Sequence, residues 1–248
     1  GQITNFFSGH TDVVLSVAWS PDGKKVASGS YETGVRVWEA ESAQSLTAMQ
    51  GITTPAMVVS WSPDGRALAA GAHDEVRLWD TESGQPRHVL SGHSGGVGSI
   101  AWSPDGRILA TGDLDGALKL WDPKTGETRR TLQPRTSAKR IWSLSWSSDG
   151  KSLAVAGDDA SIRLWDPASG QLHATLLALS GSRGLALTSD GHYRGSPRVE
   201  RELVYVVETD ALQVKFGERT PDGRQRRDER QQRHHVYQPP RDRTQGTS

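Results

Sequence analysis

The sequence contains no cysteine. That excludes a disulfide framework, a thiolate nucleophile and any Cys-ligated zinc or iron–sulfur centre. No apolar run approaches the roughly 18–20 residues of a membrane span, and the first residues lack the basic-then-apolar order of a signal peptide. The expectation is a cytoplasmic chain without a membrane partner. Neither charge is in excess: 29 Lys and Arg offset 29 Asp and Glu. Net charge therefore offers no reason to propose nucleic acid or a membrane surface as partner. What the 248 residues do hold is 27 glycines and nine tryptophans. Glycine exceeds its usual share of about 7%, which predicts many tight turns.

The tryptophans are periodic. Trp19, Trp61, Trp102 and Trp146 follow one another at 42, 41 and 44 residues, and Trp38, Trp79, Trp121 and Trp165 at 41, 42 and 44. Each member of the first series opens the phrase WSPDG, or WSSDG at 146–150. Each member of the second closes VRVWE, VRLWD, LKLWD or IRLWD. Only Trp142 falls outside both. Within one period, VVLSVAW (13–19) reads as a short, covered strand. Pro21 and Gly23 supply the turn chemistry after it. KVASGS (25–30), VRVWE and a weaker stretch at 45–50 complete four strands with turns every 8–12 residues, an all-β pattern. One such sheet cannot bury both faces alone, so neighbours must stack.

A period of about 40–45 residues carrying a W-D dipeptide marks four-stranded propeller blades. On these residues the chain resembles the WD-repeat (WD40) family, strongly over 9–177 and weakly over 178–216. The resemblance implies an all-β propeller of stacked four-stranded antiparallel blades, with four clear repeats starting near 13, 56, 97 and 141. A fifth, divergent repeat is expected from 185: LALTSDG (185–191), HYRGSP (192–197), ELVYVVET (202–209) and ALQVKF (211–216). Residues 2–7 read as a leading fourth strand. Either Ile3–Phe7 clips the last blade shut, or the chain begins inside a larger propeller. The second reading is favoured, with an incomplete ring that forms the C-terminal part of a large bacterial WD-repeat protein. Residues 217–248 carry eight arginines and five acids, a net +3 against −3 for the remainder. With only Val236 and Tyr237 apolar, this tail is expected to be disordered.

By the resemblance, a His, a hydroxyl on the second strand, an Asp in the following turn and the second-series Trp form a hydrogen-bonded chain that satisfies buried polar groups. The third repeat supplies His93, Thr111, Asp115 and Trp121. The first supplies His10, Ser28 and Trp38, with Glu32 in the Asp position. The second has Ile52 for the His and keeps Asp74 and Trp79. The fourth keeps Asp159 and Trp165, with Val155 in the hydroxyl position. These are structural roles. Gly92–Gly96 matches G-x-S-x-G, but a nucleophilic Ser94 needs a strand-to-helix elbow that this pattern lacks. Gly150-Lys151-Ser152 lacks the leading glycine and helix of a phosphate loop. Asp113 with Asp115, and Asp158-Asp159, lack a calcium loop's terminal Glu. His234-His235 is too short for a metal site. No catalytic, cofactor or metal residue is assigned.

The resemblance places the partner-binding face on the links before the first and after the second strands: Asp12, Leu15, Tyr31, Met57, His73, Asp74, Gly98, Leu114, Arg140, Trp142 and Asp158. Trp142, beside Lys139 and Arg140, reads either as an interface anchor or as packing beneath a neighbouring blade. The favoured function is a non-catalytic scaffold or sensor for a protein, a peptide or an attached effector domain, with self-association through uncovered blade faces. The alternative is a propeller enzyme with a site at the channel mouth. Leu15, Met57, Gly98 and Trp142, the strand-opening residues there, are mostly apolar and argue against it. Nucleic-acid binding through the tail is the weakest option.

Overall fold

The computed structural model describes residues 6–32, 34–132 and 140–179, and the strands at 183–188, 193–195, 203–208 and 212–216. Four antiparallel sheets of the expected kind are present. Blade 1 comprises β1 (Val14–Trp19), β2 (Lys25–Ser30), β3 (Gly34–Glu39) and β4 (Ser45–Met49), paired in chain order. Blade 2 comprises β5 (Val58–Trp61), β6 (Ala67–Gly71), β7 (Glu75–Asp80) and β8 (Pro86–Ser91). Blade 3 comprises β9 (Val97–Trp102), β10 (Leu109–Asp113), β11 (Leu118–Trp121) and β12 (Thr128–Leu132). Blade 4 comprises β13 (Ile141–Trp146), β14 (Leu153–Gly157), β15 (Ser161–Trp165) and β16 (Leu172–Leu179). No helix occurs among the described residues, so none is long and apolar enough to cross a membrane.

The WSPDG phrase earns each first turn its shape. Gly23, Gly65, Gly106 and Gly150 all adopt φ near 70°, a left-handed conformation that glycine takes without steric cost. The serine hydroxyl donates to the aspartate at 2.6 Å in Ser20–Asp22, Ser62–Asp64, Ser103–Asp105 and Ser147–Asp149. The same oxygen accepts the N–H that starts the second strand, at Lys25, Ala67, Ile108 and Ser152. One hydroxyl thus closes the turn twice.

The core lies between blades. One buried cluster joins Ala27, Val35, Val37 and Met49 of blade 1 to Ala56, Val59, Trp61 and Leu68 of blade 2. Equivalent clusters lie in the seams of blades 2–3 and 3–4. First-series tryptophans fasten these seams. Trp61 Nε1 donates to the Ala18 carbonyl at 3.1 Å, Trp102 to Ser60 at 3.3 Å and Trp146 to Ala101 at 3.1 Å. Each acceptor immediately precedes the tryptophan of the blade before. Glycines on the second strands admit the next blade: a β-carbon on Gly29 would lie 2.8 Å from the Ala56 carbonyl oxygen, and one on Gly112 would lie 2.4 Å from Ile141 Cγ2. Among the described residues the four blades form an open arc, β1 packing on β5, β5 on β9 and β9 on β13.

The four strands expected in the divergent fifth repeat are present, and among the described residues they divide between two sheets. The strands β17 (Arg183–Thr188) and β18 (Tyr193–Gly195) extend blade 4's sheet beyond β16, while β19 (Leu203–Glu208) and β20 (Leu212–Phe216), among the described residues, pair with each other. β16, at eight residues, is longer than the other outer strands and offers β17 a full edge, from Ala174↔Thr188 to Leu179↔Arg183. Leu187 also replaces the tryptophan that fastens the other seams. Residues 2–5 of the expected leading strand 2–7, and the whole Arg-rich tail 217–248, lie outside the described residues. Phe6 and Phe7 are not in a strand; Phe7 stacks edge-on against Trp38 with centroids 5.8 Å apart.

Candidate interaction face

Two polar chains hold the loops on one side of the arc. In blade 3, Trp121 Nε1 meets Thr111 Oγ1 at 2.7 Å, Thr111 meets His93 Nε2 at 2.7 Å, and His93 Nδ1 meets Asp113 Oδ2 at 2.8 Å. Tryptophan can only donate, so the Thr111 oxygen accepts from it and its hydroxyl donates a hydrogen bond to His93 Nε2. Nδ1 therefore carries the histidine proton and donates to the carboxylate. Both His93 and Asp113 side chains are fully buried. Burial would push the Asp113 carboxyl up, but hydrogen bonds from His93 and from the Ala117 and Asp115 N–H groups outweigh it and hold it below the ordinary range.

Asp115, the carboxylate expected in this chain, is corrected by that geometry. It lies exposed in the turn and gives only its backbone N–H, to Asp113 Oδ1 at 3.0 Å. The reason is where the strand ends: Thr111 and Asp113, two apart on β10, share one face and both reach His93, while Asp115 falls beyond the strand in the turn. Spacing along the strand was the available signal.

Blade 1 repeats the chain in altered form. Trp38 donates to Ser28 Oγ at 2.8 Å, Ser28 pairs with His10 Nε2 at 2.7 Å, and His10 Nδ1 meets Glu32 Oε1 at 2.6 Å. Glu32 also accepts the Thr11 hydroxyl and, at 2.8 Å, the Thr11 N–H. The Thr11 hydroxyl, then His10, hold its carboxyl down at about 2. Blade 2 has Ala70 in place of the hydroxyl, and Trp79 donates instead to the Gln50 carbonyl at 3.0 Å. In blade 4, Asp159 pairs with Arg163 and accepts the Ser161 hydroxyl at 2.7 Å.

The turn aspartates Asp22, Asp64, Asp105 and Asp149 are likewise lowered, first by their serine hydroxyls. The unfolded chain takes up these protons near pH 4, the folded chain only at lower pH. Between those points the unfolded state binds more protons, so acid favours it. The melting temperature should be level above about pH 5 and fall steadily as the pH drops toward 2. A flat profile across that range, measured by circular dichroism, would contradict these hydrogen bonds.

The loop residues fall into three groups. Leu15, Gly98 and Trp142 sit at register shifts that open β1, β9 and β13, and Met57 directly precedes β5. Such bulges re-aim a side chain out of the pleat. Met57 and Leu114 converge on the glycines between them: their side chains would lie 3.0 and 3.4 Å from a β-carbon on Gly96, and Leu114 3.3 Å from one on Gly98. Asp12, Tyr31, His73 and Asp74 are exposed and separate; Asp12 caps the Val13 N–H at 2.7 Å, and the His73 N–H reaches Thr54 Oγ1 at 3.4 Å.

Trp142, Arg140 and Asp158 form the third group. Trp142 is 52% exposed, so it does not pack beneath a neighbouring blade. Its Nε1–H donates to Asp158 Oδ1, and the Arg140 guanidinium lies 5.9 Å from its ring centroid. The Asp158 N–H bonds the Arg140 carbonyl at 3.3 Å. An indole with a fixed edge and a cation on its face is held in place before anything touches it. Lys139 lies outside the described residues. Among the described residues, no three His, Asp or Glu side chains are grouped to hold a metal ion.

Comparison with known proteins places this geometry. The family model for the IFT122 first beta-propeller matches residues 1–192. The chain is similar to the transcriptional repressor rco-1 of Neurospora crassa, 41% identical over 51 residues, which are 21% of this chain and 8% of that protein. It is also similar to the Notchless protein homolog of Arabidopsis thaliana, 56% identical over 32 residues, 13% of this chain and 7% of that protein. The chain thus spans less than a tenth of either relative. The family match takes in most of the 248 residues and runs through all four stacked blades, so the chain belongs to the IFT122 first beta-propeller family of WD40 β-propellers.

Proposed function

We propose that the chain is a cytoplasmic, non-catalytic interaction platform, a scaffold or sensor module within a larger multidomain bacterial protein, and that its loop face receives a protein or peptide segment. The observation that carries this reading is Trp142: a half-exposed indole, oriented by Asp158 and overlaid by Arg140. Aromatic and arginine side chains supply most of the energy at protein interfaces, above all where a polar rim surrounds them. The polar chains of blades 1 and 3 point inward and are saturated by one another, which suits the support of loops rather than proton transfer. Leu15, Tyr31 and the apolar Met57–Leu114 pair extend the surface on the same loop set.

A peptide library displayed against the protein, with hits measured by calorimetry, tests it. Trp142→Ala should weaken captured ligands at least tenfold, and Val89→Ala, at an equally exposed site on the outer strand β8, should leave them unchanged. Equal loss in both variants, or none in either, would reject Trp142 as the anchor.

A further inference from the structure

The two ends of the arc expose the two halves of one interface. At each internal seam, side chains on the first strand of a blade are covered by the blade before: Val59, Ile100 and Leu144 are all buried. Their counterpart in blade 1, Val17, is 67% exposed, and Trp19 beside it is 63% exposed. The other half lies on blade 4. Val35 and Met49 in blade 1, Val76 and Leu90 in blade 2, and Leu118 and Leu132 in blade 3 are buried under the following blade. Their counterparts, Ile162 and Leu176, are 43% and 37% exposed. Among the described residues, the four blades leave one socket and one plug unmatched.

We infer that the blade 4 face of one copy of this chain docks on the blade 1 face of a second copy, head to tail, as the internal blades dock. Side-chain sizes favour this partner. At the internal seams a bulky side chain from the outer strand of one blade crowds a left-handed glycine of the next: Thr47 on Gly84, His88 on Gly126 and Arg130 on Gly170, all within 3.0 Å of a β-carbon built there. Blade 1 has Ala43 at the glycine position, at φ 56°, and the outer-strand position of blade 4 that would face it is Ala174. The methyl that any of the three bulky residues would strike meets a methyl instead. The turn contact would continue with a smaller residue. Pro21, Pro63 and Pro104 contact Gly65, Gly106 and Gly150 at 3.7 Å from the β-carbon position, while a β-carbon on Gly23 would have nothing within 4 Å. The residue that would cover Gly23 is Ser148, which is smaller. Trp19 Nε1 would take the Ser145 carbonyl of the second copy, continuing the series Ala18, Ser60, Ala101. One position departs: Ala156 stands where Gly29, Gly71 and Gly112 admit the next blade. Its methyl makes this contact looser than the internal ones and therefore dissociable.

The contact is heterologous, so it closes or propagates according to its rotation. Two arcs of four blades would make eight, within the range of about four to eight found in propellers. This docking uses blade faces and not the Trp142 loops, so it stands or falls apart from the proposed function. Sedimentation velocity across a hundredfold range of concentration should show monomer giving way to a species of twice the 26.9 kDa chain mass. Val17→Lys and Ile162→Lys, both at exposed positions, should each abolish it while keeping the wild-type circular dichroism spectrum. An equimolar mixture of the two should regain a dimer, because each variant keeps the face the other lacks. A compact monomer at every concentration would overturn the inference, as would a dimer that survives Ile162→Lys.

Discussion

Replacing His93 with alanine is expected to destabilise the fold by about 3 kcal/mol or more. The substitution leaves the Asp113 carboxylate buried with two backbone N–H partners but without the imidazole N–H that donates to its other oxygen. It also strands the Thr111 hydroxyl, which has Trp121 as donor and His93 as acceptor. Removing the donor from a buried carboxylate costs more than the hydrogen bond itself contributes, because the remaining charge stays desolvated. Asp113→Ala should follow closely. Asp115→Ala and Asp74→Ala remove exposed carboxylates and should shift stability by no more than about 0.5 kcal/mol. Urea midpoints for the four variants decide the matter. If Asp115→Ala proves as costly as Asp113→Ala, the chain of bonds through β10 is wrong.

That contrast also shows where sequence reasoning reached its limit. Tryptophan spacing and WSPDG were enough for four sheets, their turns and their stacking, because each signal recurs and its chemistry is local. A serine hydroxyl that closes a turn twice acts within six residues. The carboxylate partner of His93 is different: Asp113 and Asp115 lie two apart on the same strand parity, and what decides between them is that β10 ends at Asp113 and leaves Asp115 in the turn. The fifth repeat was legible only in its separate strands, for a related reason. Its strands are readable one by one, but whether β17 begins a new blade or extends an old one depends on the edge β16 offers. Leu187 in the tryptophan position was the visible warning. On the loop face, the period singled out Trp142 by exclusion, since it belongs to neither tryptophan series. Its pairing with Asp158 and Arg140 arises from a bulge at the start of β13, which composition does not encode.

Gly112→Ala should cost about 2–3 kcal/mol, although alanine is the smallest side chain glycine can gain. Gly112 lies in β10 opposite Leu118 and Ser99, at a backbone conformation any residue can adopt, so the penalty is steric. The new methyl would sit 2.4 Å from Ile141 Cγ2 and 2.8 Å from Ile141 Cβ. Ile141 cannot retreat easily: it is buried, starts β13, and is β-branched and therefore stiff at χ1. The strain falls on the seam between blades 3 and 4 rather than on either sheet. For a chain of this size the loss corresponds to a melting-temperature fall of roughly 4–12 °C. Ile141→Val, which removes the outermost methyl, should be mildly destabilising alone, by about 1 kcal/mol. Ile141→Ala removes the Cγ2 that clashes and should recover part of the Gly112→Ala penalty, with a coupling of about 1–3 kcal/mol in a double-mutant cycle. Gly23→Ala separates the two effects, since nothing lies within 4 Å of its β-carbon and only the φ of 70° is strained. It should cost about 1–2 kcal/mol with no coupling to Ile141. Additive behaviour of Gly112→Ala and Ile141→Ala would mean that blades 3 and 4 do not meet at this glycine in solution.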